Sequence, residues 1–136
     1  MVHFSLRTII ILFMGLCIFL FLYCDESTGP TINSLKSAEK NVFVNLLNSN
    51  DSGKVVYELV YPLKAGTVIK ATPPLDSTEY TAPAYSWFFF INDQPGLRWV
   101  HDCRYVFSDI YSGNLTVYDA QFYPECLDDM EIVNFQ

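Results

Sequence analysis

Two side chains of this chain have the types and spacing of a covalent catalyst: His101 and Cys103. Two apart on a strand, they face the same side. An imidazole beside a thiol can generate a nucleophilic thiolate when a third group orients the base. Asp102 lies between them and would point to the opposite face. The local signatures that papain-like and caspase-like families carry around their cysteine do not occur here. A small Cys/His hydrolase is therefore the third of three functional readings, and the expectation is a non-enzyme with no catalytic residue.

The more ordinary use of Cys103 is structural. Cys103 and Cys126 are the two cysteines outside the N-terminal apolar segment, and in an oxidising compartment two such cysteines pair. The expected disulfide joins the start of one strand to the chain after the next, and closing such a loop is worth about 3 kcal/mol. Metal and cofactor chemistry find no support. His101 is the single histidine after residue 24, and no Cys-x-x-Cys, His-x-x-x-His, calcium-loop or Gly-rich phosphate pattern is present. Asp128, Asp129 and Glu131 read as a solvated acidic tail. Two Asn-x-Ser/Thr sequons stand at Asn50 and Asn114, acceptors for glycosylation in a eukaryotic secretory protein.

The elements that would position these groups begin with an export signal. Arg7 precedes an apolar run from Ile9 to Cys24, and Asp25 and Glu26 follow at once. The charge order places Arg7 in the cytoplasm and the rest outside. Residues 1–24 are expected to be a signal anchor or signal peptide, holding the chain to a membrane through residues 8–24. Leu22 makes a poor cleavage site after Cys24, which favours the anchor. Cys24 directly after the apolar core also resembles bacterial lipoprotein signals, although Tyr23 stands where they carry a small residue. The product is expected at the cell membrane, facing outward, or secreted.

All fifteen acids lie after residue 24, against seven Lys and Arg, a net charge of −8 for the exported part. Such a domain repels phosphate backbones, so nucleic acid is set aside. Aromatic residues make up 16% of the chain and lie mostly after position 56. That composition indicates a packed core and not disorder.

The pattern divides into a 25–32 linker, a globular 33–126 domain and a 127–136 acidic tail. Leu35, Ala38, Val42, Phe43, Leu46 and Leu47 recur at helical spacing, with Asn33 or Ser34 as cap and Gly53 beyond the end. From Val55 the period becomes two, and Thr67–Ala71 reads as a return strand. Residues 72–84 are Pro-rich and read as a loop. Tyr85–Ile91 is a continuous aromatic run fit for a central strand, 92–96 is a turn, and Arg104–Ile110 and Leu115–Ala120 form a hairpin about 111–114. The expected fold class is α+β: after the membrane segment, one amphipathic helix packs on an antiparallel sheet of about five strands.

One helix covers one sheet face and leaves the other open. Because Trp87, Phe88, Phe89 and Phe90 fill both faces in any register, at least one is expected on an exposed binding face. The leading reading follows: a non-enzymatic interaction domain, with a protein partner on the sheet.

The stretch 86–120, and its last hairpin VFSDIYSGNLTVYDA above all, resembles the Asp-x-x-x-Gly hairpins of small PepSY-like, propeptide-type domains that accompany secreted prokaryotic cysteine peptidases. The helix-then-antiparallel order is also similar to cystatin-like folds, but the cystatin Gln-x-Val-x-Gly hairpin is missing, so no inhibitor residues carry over. The resemblance implies the second reading, a propeptide-like or inhibitor-like domain acting on a peptidase.

Overall fold

A computed structural model describes residues 31–47, 53–72, 78–97 and 100–134. The expected membrane segment, most of the expected linker, Asn50 and Trp99 lie outside the described residues. No described helix is long and apolar enough to cross a membrane. Residues 32–134 belong to one compact unit.

Helix α1 spans Leu35–Leu46. Ser34 caps it: its hydroxyl accepts the Ser37 N–H at 3.2 Å, satisfying one orphan donor of the first turn. At the other end Arg104 donates Nη1 to the Leu46 carbonyl at 3.3 Å, a cation where the helix dipole is negative. Seven short strands follow: β1 (Val55–Glu58), β2 (Val68–Lys70), β3 (Glu79–Thr81), β4 (Ser86–Asn92), β5 (Cys103–Asp109), β6 (Leu115–Ala120) and β7 (Glu131–Ile132). Five form an antiparallel sheet in the order β6-β5-β4-β1-β7, while β2 and β3 pair separately. The α+β architecture is as the pattern predicts.

Three features depart from it. Residues 67–71 do not return along β1; β2 pairs with β3, which arises inside the segment read as a loop. Residues 127–134 are not a loose tail. They make a 3-10 turn at Leu127–Asp129 and then β7, which closes on β1 with Tyr57 opposite Ile132 and Glu58 opposite Glu131. The open edge of β1 supplies the hydrogen-bonding groups that order this short strand. Finally, among the described residues neither face of the sheet is left as a bare aromatic surface.

Alternation along the strands builds two cores. Val56, Phe89, Ile91 and Val106 point toward α1 and meet Ala38, Val42 and Leu47. On the other face Phe88, Phe90, Tyr105 and Phe107 are covered by Ile69, Ala71, Tyr80 and Ala82 of the small sheet and its flanks, and by the chain from Phe122 to Met130. The cover is fastened by backbone: Thr72 N–H donates to Tyr123 at 2.7 Å and Glu125 N–H to Lys70 at 2.9 Å. Tyr80 packs on Tyr105 with ring centroids 4.3 Å apart. Each buried Phe or Leu contributes about 1.5–3 kcal/mol through area removed from water.

Asp109 and Gly113 shape the β5–β6 hairpin. One Asp109 oxygen accepts the N–H groups of Tyr111 and Ser112 at 2.7 and 2.8 Å, which holds this carboxyl below its ordinary range. Gly113 has φ of +73°, the left-handed conformation that glycine adopts without strain. The Asp-x-x-x-Gly spacing is thus a turn device.

Candidate functional site

Cys103 and His101 are both buried. Cys103 is 2% exposed at the start of β5, and its thiol donates to the Phe122 carbonyl at 3.4 Å. Burial, reinforced by the Asp93 carboxylate, pushes the thiol up to about 12. A thiol held protonated at neutral pH lacks the thiolate that attacks. His101 is buried, with its ring against Tyr123 at a centroid distance of 5.0 Å.

The expected Cys103–Cys126 disulfide is not formed in this structure. Both residues are free thiols within the same core. Cys103 Sγ is engaged with the Phe122 backbone, four residues short of Cys126. Burial raises Cys126 as well.

The expected binding face of Trp87, Phe88, Phe89 and Phe90 is also corrected. The three Phe side chains are fully buried, Phe89 under α1 and Phe88 and Phe90 under the second cover. Trp87 is half-buried and donates Nε1 to the Asn33 carbonyl at 2.8 Å, pinning the approach to α1. These residues are core. Of the sequons, Asn114 is exposed in the β5–β6 turn. Among the described residues no cluster of His, Cys, Asp or Glu could hold a metal ion.

The structure brings together a different set. A groove of about 780 Å³ runs between α1 and the β1–β7 edge. Its helix wall carries Lys36, Glu39, Lys40, Phe43 and Val44; its sheet side carries Glu58, Glu131 and Val133, with Ile132 at the edge. Alternation explains the floor. Val56 faces α1, so Glu58, two residues on, faces the same way, and its register partner Glu131 shares that side.

Helical spacing places Phe43 with Val42 on the side of α1 that faces the sheet. It is 40% exposed, and Val44 and Ile132 are 63% and 56% exposed. The helix lies over the middle of the sheet, and its Phe43 side overhangs the groove.

The charges of this groove do not balance locally. Lys36 bonds Glu39 at 2.9 Å. Glu58 is only 8% exposed, and its Oε2 has no hydrogen-bond partner. Burial, and then the neighbouring Glu39 carboxylate, raise Glu58 to about 7; Lys36 acts the other way and Glu131 adds to the rise. A buried carboxylate oxygen without a hydrogen-bond partner is costly.

Sequence reasoning passed over this groove. The available signal was Glu58 itself, an acid inside the otherwise apolar alternation Val55–Tyr61.

A second, smaller pocket of about 360 Å³ lies near the start of α1. Ser108 Oγ is buried there without a partner, beside Asn41, whose amide donates to the Gly113 carbonyl at 2.6 Å.

No protein-family model, curated protein or solved structure matches this chain.

Proposed function

We propose that this protein is a non-enzymatic interaction domain, displayed outside the cytoplasm by its N-terminal apolar segment, and that its contact surface is the α1–β7 groove. The observation that carries this reading is the placement of Glu58. A buried carboxylate without a partner on Oε2 lies in an open groove flanked by exposed Phe43, Val44 and Ile132. Apolar side chains around a few well-placed polar groups are the usual composition of a recognition surface. The high thiol pKa and burial of Cys103 weigh on the same side, because they remove the best candidate nucleophile.

Site-specific photo-crosslinking tests the reading on the full chain in its native membrane. A photoreactive residue at Val44 or Ile132 is expected to give one discrete adduct. The same residue at Tyr111 or at Val117 on the opposite sheet edge, which are exposed but do not line the groove, should give none. Adducts of equal yield at all four positions, or at the remote positions alone, would contradict the assignment.

A further inference from the structure

Among the described residues, strand β7 is an edge strand with no neighbour on its outer side. Val133 N–H donates to the Val56 carbonyl at 2.9 Å, so Val56 and Val133 are a hydrogen-bonded pair. In an antiparallel ladder hydrogen-bonded and non-bonded pairs alternate. The neighbouring pair, Tyr57 with Ile132, is therefore of the second kind. The N–H and C=O of Ile132 then point away from β1, along the open edge.

A segment laid against that edge would bond to Ile132 and extend the sheet. Its alternate side chains would project to the α1 side, where Phe43 and Val44 stand exposed. Glu131 would lie one strand away from it and Glu58 two, at about 10 Å by ordinary strand spacing. Only a long side chain spans that distance to meet the Glu58 carboxylate.

Resting on the groove reading above, we propose that the occupant is an extended segment of a partner protein. It adds a strand to β7, packs apolar residues on Phe43 and Val44, and directs a Lys or Arg side chain to Glu58 and Glu131. Charge supports this choice over a second copy of the chain. The exported part carries fifteen acids against seven Lys and Arg, so two copies repel, and a β7–β7 pairing would bring four more carboxylates together. Backbone bonds along an edge give affinity, and the side chains entering the groove give selectivity. The groups facing Glu58 are Lys36 and Glu39 from α1 and Glu131 from β7, and a partner cation would outweigh the single Lys36.

The probe is a blocked heptapeptide with Thr at odd positions, Val at the second and sixth, and Lys at the centre, so that Lys and Val share one face. It is titrated into the ¹⁵N-labelled full chain in detergent micelles, and its affinity is read from amide shifts. The amides of Ile132 and Val44 are expected to shift. Replacing the central Lys by Gln should weaken binding about tenfold, as for a close charge pair. Glu58→Gln should erase that tenfold preference while leaving the Gln peptide's affinity unchanged. N-methylation of the peptide on its bonding edge, or Ile132→Pro in the protein, should abolish binding of both peptides.

Equal binding of the Lys and Gln peptides at the groove would overturn the cation assignment and leave the groove reading standing. No groove shifts with any peptide, together with crosslinks at Val44 and Ile132, would overturn strand addition alone. Neither shifts nor crosslinks would overturn both. Self-association of the free chain that Ile132→Pro disrupts would replace the partner segment with a second copy.

Discussion

Glu58 on β1 stands directly opposite Glu131 on β7, so the last two strands of the sheet pair carboxylate with carboxylate. Like charges across an antiparallel pair destabilise it, which leaves β7 as a weakly held edge beside an unpartnered acid.

The pH dependence of stability follows from Glu58. Its folded value of about 7 lies above the ordinary 4.5. Below 4.5 the group is protonated in both states and contributes nothing. Between 4.5 and 7 the unfolded chain loses a proton that the folded chain keeps, so stability falls as pH rises; above 7 the loss is complete. Glu58→Gln should therefore stabilise the protein at pH 8 by on the order of 1–2 kcal/mol, allowing for solvent in the groove, and have little effect near pH 4. Urea melts at the two pH values check this. A variant less stable at pH 8 would contradict it.

Phe88→Ala or Phe90→Ala should cost about 3–5 kcal/mol, the range for deleting a fully buried aromatic. Phe43→Ser, at a 40% exposed site, should cost under about 1 kcal/mol. Equilibrium unfolding separates them. A near-neutral Phe90→Ala would return the aromatic strand to the surface.

Much of this was legible in the residues. The spacing of Leu35, Ala38 and Val42 specifies α1, and the run from Trp87 to Ile91 specifies a central strand, though not that both of its faces are covered. Asp109 and Gly113 specify the hairpin. The cover over Phe88 and Phe90 was not legible, because alternation in 67–71 shows that a strand forms but not which strand it meets. Strand β7 has two residues, too few for any period, and depends on the vacant edge of β1. The groove was hidden for the same reason: its floor joins Glu58 to Glu131, 73 positions apart, and only tertiary pairing brings them together.

Arg104 binds Asp93 through two bonds, Nε to Oδ2 at 2.9 Å and Nη2 to Oδ1 at 2.7 Å, and also holds the end of α1. Arg104→Met should cost about 2–4 kcal/mol, because among the described residues Asp93 is left with Lys54 at 3.1 Å and the Leu46 carbonyl loses the Arg104 bond. Thermal unfolding with amide exchange at the C-terminal turn of α1 checks it. A variant with unchanged stability and unchanged protection there would contradict the role.

Cys103 should resist alkylation in the folded protein at pH 8, since its thiol is both buried and held near 12. After denaturation without reductant, Cys103 and Cys126 should both label, as peptide mapping by mass spectrometry would show. Rapid labelling of native Cys103 would revive the nucleophile reading. A disulfide-linked peptide pair would establish the bridge that this structure does not contain.

The direct measurement is a side-chain carboxyl ¹³C NMR titration of Glu58 in the full chain, with and without the Lys-centred heptapeptide. The expected midpoint is near 7 in the free protein, moving down toward the ordinary carboxylate range when the peptide's lysine meets it. A free-protein midpoint near 4.5, or a raised midpoint that bound peptide leaves in place, would contradict Glu58 as the group a partner neutralises.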